Sequence, residues 1–223
     1  MKKKIAILGS TGSIGKTLFN ILLKEKKNFE LVLLTADKSH EILIKQAKTL
    51  NVKNLIITNK KSFEILKKKT KNTKISIFND YTKLDKIFKK KIDYVMSSIS
   101  GIQGLEPTIK IIKFTKKIAI ANKESIICGW NLIQSQLKKY KTEFIPVDSE
   151  HFSIWYGLKN FKSTTLEEVI LTASGGPFYK TPLSKFKNIK VSDALNHPNW
   201  KMGKKISTDS ATMINKVYEV MEA

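Results

Sequence analysis

A chain of 223 residues with 41% hydrophobic content can build one large domain or two modest ones, each with its own core, and is too apolar for an intrinsically disordered segment. The formal net charge is +22, yet every basic side chain is a lysine and none an arginine, and the lysines are scattered in short runs such as Lys67 to Lys69 and Lys89 to Lys91. That pattern reads as solvated faces and argues against a specific nucleic-acid site, because arginine is the usual bidentate reader.

The three lysines at the start are followed only by Ile5 to Leu8 before Gly9, too short an apolar run for a secretion signal, and no stretch approaches the length of a membrane span. A soluble cytoplasmic protein without a membrane or nucleic-acid partner is expected.

Short runs rich in Ile and Val alternate with longer amphipathic segments, the pattern of parallel strands joined by crossover helices. In chain order the predicted strands are Ile5 to Leu8, Glu30 to Thr35, Asn54 to Thr58, Ile75 to Phe78, Tyr94 to Ser97, Lys117 to Ala121 and Glu143 to Val147. Helices fill most of the gaps. The single cysteine, Cys128, excludes an intramolecular disulfide; it follows Ile126 and Ile127 in a predicted helix and is expected to be a buried small hydrophobe.

From Asp148 onward aromatic, Ser, Gly and Pro residues become frequent, which places a domain boundary between 147 and 148. A further strand is predicted over Glu168 to Ala173, leading into Ser174-Gly175-Gly176-Pro177. Ser210 to Ala223 reads as a helix without a C-cap, so the fold is expected to continue past the last residue.

The first strand runs into Gly9-Ser10-Thr11-Gly12-Ser13-Ile14-Gly15, and a helix with Leu18, Ile21 and Leu22 on one face follows at once. Glycines 9 and 12 permit a tight turn and a close backbone approach to a pyrophosphate. Gly15 permits close packing of helix on strand, and the helix N-terminus supplies N–H groups and partial positive charge. The spacing is G-x-x-G-x-x-G, and nucleotide binding at the first βα junction is expected. At the end of the second strand an acid would favour a free ribose 2′-hydroxyl and a cation a 2′-phosphate. Both are present, as Asp37 and Lys38, so the choice stays open on these residues alone.

Residues just beyond the carboxyl ends of parallel strands line a ligand crevice. Here they are Asn122-Lys123-Glu124-Ser125 and Asp148-Ser149-Glu150. In an extended stretch the carboxylates of Asp148 and Glu150 point the same way and suit Mg²⁺ or Mn²⁺. Equally, Asp148 could cap a helix that begins near Ser149, with Glu150 in its first turn. Ser210, Asn215 and Lys216 supply hydroxyl, amide and ammonium donors of the kind that hold a phosphate. Asn215 and Glu219, four apart, share one helical face, which suits either a site or a solvated helix surface. Trp200, in a loop bracketed by Pro198 and Gly203, fits a lid over a ligand or a packed surface tryptophan.

Six segments in order, GSTGSIG (9–15), ANKES (121–125), PVDSEH (146–151), ASGGPF (173–178), HPNWKMG (197–203) and DSATMINK (209–216), resemble the 1-deoxy-D-xylulose 5-phosphate reductoisomerase family. The resemblance runs from Gly9 to the last residue. It implies an α/β fold, with a Rossmann-like parallel-sheet NADPH-binding domain over 1–147 and an α/β catalytic domain over 148–223, ending before the family's C-terminal helical domain. It implies NADPH- and divalent-metal-dependent isomerisation and reduction of 1-deoxy-D-xylulose 5-phosphate to 2-C-methyl-D-erythritol 4-phosphate, in non-mevalonate isoprenoid synthesis, by a homodimer.

Residue by residue, the resemblance implies that Asp148, Glu150 and Glu219 are the metal ligands and that Lys123 contacts substrate. Ser149 would bind substrate beside the metal. Ser174, Ser210, Asn215 and Lys216 would surround its phosphate, and His197 and Trp200 would belong to a lid. Thr11, Gly12, Ser13 and Ile14 match the cofactor's pyrophosphate turn, Asn122 and Glu124 its nicotinamide half, and Gly203 a backbone contact. Where the family commonly has Gly-Lys-Asn, this chain reads Asp37-Lys38-Ser39. Lys38 and Ser39 support NADPH, and Asp37 departs from the pattern.

Two rival readings are a semialdehyde dehydrogenase, which needs a catalytic cysteine in its second domain, and a non-catalytic NADPH-binding module. Cys128 lies before the domain boundary, which disfavours the first.

Overall fold

The computed structural model describes residues 1–159, 166–198 and 203–222. Trp200 lies outside them. The chain falls into two compact units, Met1–Val147 and Asp148–Ala223.

The first unit is built on seven strands: β1 Lys3–Leu8, β2 Phe29–Ala36, β3 Asn54–Ile57, β4 Ser76–Phe78, β5 Ile92–Ser97, β6 Thr115–Ile120 and β7 Glu143–Pro146. All pair in parallel, in the order β4-β3-β2-β1-β5-β6-β7. Each lies where the Ile- and Val-rich runs predict it. The order reverses between β1 and β5, and in such a sheet the crevice outside the carboxyl ends at the reversal is where ligands bind.

Strand side chains alternate between faces, so β1 contributes Ile5 and Ile7 to one core and Ala6 and Leu8 to the other. Phe19 and Leu22 of α1 (Ser13–Lys24), Leu43 and Ala47 of α2 (His40–Thr49) and Leu66 of α3 (Lys60–Lys69) cover the Ile5 face. On the Leu8 face lie Leu84 of α4 (Leu84–Ile87), Ile111 and Ile112 of α5 (Leu105–Ile112), and Ile126, Ile133 and Leu137 of α6 (Lys123–Tyr140). Burial on both faces is why the central strands read as near-continuous apolar runs. A fully buried Leu or Ile in either core contributes about 1.5–3 kcal/mol relative to exposure.

Cys128 is exposed, contrary to expectation. It lies about 200° around α6 from buried Ile126, so the helix that buries Ile126, Gly129, Ile133 and Leu137 turns the thiol outward.

The second unit contains α7 Ser149–Leu158, a 3-10 segment Leu183–Asn188, α8 Val191–Leu195, α9 Lys204–Ala211 and α10 Ile214–Glu222. No strand occurs there among the described residues, so the strand predicted over Glu168 to Ala173 is not formed. Alternation alone does not make a strand: its N–H and C=O groups need a ladder partner, and residues 166–170 are all exposed.

The helix predicted over Ser210 to Ala223 is also corrected. Ser210 and Ala211 end α9, and Met213 takes a left-handed φ of 62° before α10 begins. Its carbonyl then accepts from the N–H groups of Lys216 and Val217, so a new helix starts in a new direction. Among the described residues no helix is long and apolar enough to cross a membrane.

Burial pushes the phenol groups of Tyr81 and Tyr94 up to about 12 from an ordinary 10.0. A raised folded-state value contributes stability that is fully present below pH 10 and is lost as pH climbs through 12, up to about 3 kcal/mol for Tyr81. Urea unfolding across that interval should show the loss. Tyr81→Phe should remove its share of the loss and leave that of Tyr94, and a variant as alkali-sensitive as the parent would contradict the assignment.

Candidate functional site

In the first unit the glycine turn leaves β1 and meets the chain leaving β5. Gly9 has a φ of +78°, and a Cβ on it would stand 2.8 Å from the Ser98 carbonyl oxygen. Ser98 donates from both its N–H and its hydroxyl to the carbonyl of Leu8, at 3.0 and 2.7 Å, which holds the two strand ends together. A Cβ on Gly15 would lie 2.3 Å from the Gly9 carbonyl oxygen and 2.6 Å from Ser10 Cα, so α1 packs directly on the turn. Gly12 is different. Its φ of −77° suits any residue, and the nearest atom to an added Cβ is 3.4 Å away, so the chain's own packing does not demand glycine there.

Thr11 is half-buried, while Gly12, Ser13 and Ile14 are exposed at the start of α1, whose first N–H groups have no intrahelical partner. At the end of β2, Asp37, Lys38 and Ser39 are exposed. The Asp37 carboxylate accepts a hydrogen bond of 2.8 Å from the Thr58 hydroxyl, tying it to the end of β3. Thr58 escapes a sequence reading because the contact joins two crossover connections.

Beyond β6, Lys123 and Glu124 are half-buried in the first turn of α6. Asn122 is 3% exposed and its amide is fully engaged. The oxygen accepts from Ser125 N–H, capping α6, and the nitrogen donates to the carbonyls of Ile99 and Gly101. Its side chain therefore shapes the loop that follows β5.

In the second unit, the carboxylates of Asp148, Glu150 and Glu219 each offer an oxygen within 4.8 Å of the others. Asp148 occupies the N-cap position of α7 but its side chain makes no capping bond there. Of the two readings left open over 148–150, the helix start is thus the one formed, with Glu150 in the first turn of α7. The carboxylates converge because the helix returns Glu150 toward α10.

Lys216 stands between Glu150, at 3.1 Å, and Glu219. Asn215 donates to the other oxygen of Glu219, and the Ser149 hydroxyl donates to Glu150 at 2.5 Å. Burial alone would raise the Glu150 carboxyl, but the Ser149 and Lys216 hydrogen bonds outweigh it and hold the group at about 2. Burial likewise lowers the Lys216 ammonium, and its bonds to Glu219 and Glu150 outweigh that and raise it.

Half-buried His151, which the sequence reading passed over, is lowered by burial, opposed by the nearby Asp148 charge. Its position one residue after the acidic pair was the available signal.

Among the described residues three carboxylates gather around the Lys216 ammonium, and Glu219 is only 2% exposed. A hard divalent cation fits that donor set, because it takes oxygen ligands, at about 2.1 Å for Mg²⁺, and carboxylates are its preferred charged donors.

A second group gathers around the Ser174-Gly175-Gly176 turn, where both glycines have positive φ. The Ser174 hydroxyl lies 3.2 Å from His197 Nε2 and accepts from Gly176 N–H. A Cβ on Gly176 would meet the Ser210 carbonyl at 2.7 Å, so the turn rests on the end of α9. His197 is 8% exposed, and Gly203 is the open N-cap of α9. Of the proposed phosphate ligands, Ser174 and Ser210 thus share this turn, while Asn215 and Lys216 bond to the carboxylates.

These features define an α/β protein with a glycine-rich turn at the reversal of its parallel sheet and a cluster of three carboxylates in its second unit. The sequence model of 1-deoxy-D-xylulose 5-phosphate reductoisomerase matches residues 5–129, and that of the family's C-terminal domain matches residues 144–223. The chain belongs to the 1-deoxy-D-xylulose 5-phosphate reductoisomerase family.

It is 61% identical over 223 residues to the 1-deoxy-D-xylulose 5-phosphate reductoisomerase of Pelagibacter ubique (strain HTCC1062), covering 99% of this chain and 58% of that relative. It is 44% identical to that of Wolbachia pipientis subsp. Culex pipiens (strain wPip), covering 99% of this chain and 56% of the relative. The chain therefore spans less than two thirds of these relatives. Among solved structures it is similar to the Zymomonas mobilis reductoisomerase in complex with NADPH, with TM-score 0.88, 30% identity and coverage of 100% of this chain and 57% of that one. A DOX-P reductoisomerase in complex with NADPH, fosmidomycin and magnesium matches with TM-score 0.88 and 31% identity, over 99% of this chain and 57% of that one.

Removing the Lys216 charge leaves two partly desolvated carboxylates without it. Lys216→Met should lower the stability of the second unit by about 3 kcal/mol, measured as a urea midpoint, with Mg²⁺ restoring part of the loss. An unchanged midpoint would show that the ammonium does not hold the cluster.

Proposed function

We propose that this chain carries the NADPH-binding turn and the metal-binding carboxylates of an enzyme that isomerises 1-deoxy-D-xylulose 5-phosphate and reduces the product to 2-C-methyl-D-erythritol 4-phosphate. The observation that carries the reading is the convergence of Asp148, Glu150 and Glu219 in a chain of this family. NADPH and magnesium in the solved relatives support the cofactor assignment. Family membership disfavours both the semialdehyde dehydrogenase and the non-catalytic module. Assembly as a homodimer in the cytoplasm, and a place in isoprenoid synthesis, are part of the same proposal.

On this reading Asp148, Glu150 and Glu219 hold the cation, which when bound supplies Lewis-acid polarisation of the substrate's carbonyl and hydroxyl oxygens. Ser149, beside the carboxylates, orients the substrate, and Lys123 contacts it from the end of β6. Ser174, Ser210, Asn215 and Lys216, with His197 and Trp200, bind and cover its phosphate end.

Thr11, Gly12, Ser13 and Ile14 face the pyrophosphate with the amides at the start of α1, and the unforced glycine at 12 leaves room for it. Lys38 and Ser39 take the ribose 2′-phosphate. The Thr58 hydroxyl bonds to one oxygen of the Asp37 carboxylate without neutralising it, so Asp37 still opposes the 2′-phosphate that Lys38 favours. Glu124 and Gly203 complete the cofactor contacts, and Asn122 serves them through the loop it fastens.

Supplied with 1-deoxy-D-xylulose 5-phosphate and NADPH, the protein should consume NADPH only when Mg²⁺ or Mn²⁺ is present. Asp148→Asn or Glu219→Gln should weaken Mn²⁺ binding by at least about tenfold and depress turnover with it. Full turnover in either variant would remove the metal assignment. Separately, Lys38→Ala should erode the preference for NADPH over NADH, and an unchanged ratio of the two affinities would remove Lys38 from the site.

A further inference from the structure

Gln46 lies on the buried face of α2, between Leu43 and Ala47, and is only 6% exposed. An uncharged amide among apolar neighbours needs partners for both ends of its side chain. It finds them in a single residue of the glycine turn. The Ser10 hydroxyl donates to Gln46 Oε1 at 2.8 Å, and Gln46 Nε2 donates to the Ser10 carbonyl at 2.9 Å.

Strand β2 completes the clamp. Ser10 N–H donates to the Thr35 carbonyl at 2.9 Å, and the N–H of Gly9 donates to the Thr35 hydroxyl at 2.9 Å. That hydroxyl also accepts from Tyr81 at 3.1 Å. Ser10 and Thr35 are both fully buried, so every polar atom of Ser10 is held by a buried partner, Thr35 or Gln46.

We infer that Gln46 is a positioning residue for the dinucleotide turn. By holding the Ser10 carbonyl and hydroxyl from beneath, it fixes the peptide planes that lead into Thr11, Gly12 and the first amides of α1. Those amides then point at the pyrophosphate before it arrives, and binding does not have to order them. Hydrophobic spacing on α2 would accept a leucine at 46, and the packing of the helix does not call for an amide. The inference rests on the proposed reading that NADPH lies on this turn.

The test uses the whole 223-residue chain and three probes: NADPH, NADH and adenosine 2′-phosphate, which lacks the pyrophosphate. Gln46→Met keeps length and burial but cannot hold Ser10. It should raise the Kd of NADPH and NADH alike by about tenfold, the scale of one lost preorganised hydrogen bond, and leave adenosine 2′-phosphate unchanged. A loss of overall stability in a chain that remains folded would not produce that split.

Ser10→Ala removes only the hydroxyl end of the pair and should give a smaller loss of the same pattern; it decides the matter if Gln46→Met does not fold. A folded variant that binds NADPH as tightly as the parent, or that weakens all three probes equally, overturns the positioning role. If the parent chain itself does not bind NADPH, the cofactor reading fails, and this inference with it.

Discussion

The contact on which the first unit depends is the approach of α1 to the turn that precedes it. A side chain on Gly15 would fall inside the backbone of Gly9 and Ser10, and one on Gly9 inside the backbone after β5. Two absent Cβ atoms thus let one helix and two strand ends meet at the point where the strand order reverses. The crevice, the exposed amides at the head of α1 and the buried clamp on Ser10 all follow from that closeness. A larger residue at 9 or 15 would push the helix away and scatter the amide directions on which anion binding relies.

The second unit is organised by charge. Bringing three carboxylates within a few ångströms of each other is unfavourable unless cations repay the repulsion. Lys216 answers part of it. The left-handed turn at Met213 is what aims Lys216, Asn215 and Glu219 from one helix toward Asp148 and Glu150 at the start of another. The same arrangement that strains the cluster without an ion suits it to a hard divalent one, so the cost of assembling the site and its proposed metal affinity have a common origin.

The central strands of the sheet were legible because they are buried on both faces, which writes each as a compact apolar run, and the partly exposed edge strands β4 and β7 were legible from their short Ile- and Phe-bearing runs. The glycine turn was legible for a related reason: its requirements are local. The misread elements depend on partners. Glu168 to Ala173 has the composition of a strand but no ladder among the described residues, and the break at Met213 is invisible to helical periodicity. Cys128 was misassigned by its apolar neighbours in sequence, when the angular position around α6 was what mattered.

Sequence by itself determined the class of fold, the place of the turn and the identity of the acidic and hydroxyl side chains, because these follow from local pattern and from motifs in a fixed order. Only the tertiary structure decided the contacts that hold them. The grouping of Glu219 with Asp148 and Glu150 was already implied by the resemblance of the motifs, whereas that Thr58 bonds to Asp37, that Asn122 spends its amide on a loop and that Gln46 holds Ser10 are facts of long-range packing. Each joins residues far apart in the chain, and no spacing rule reaches across a crossover connection.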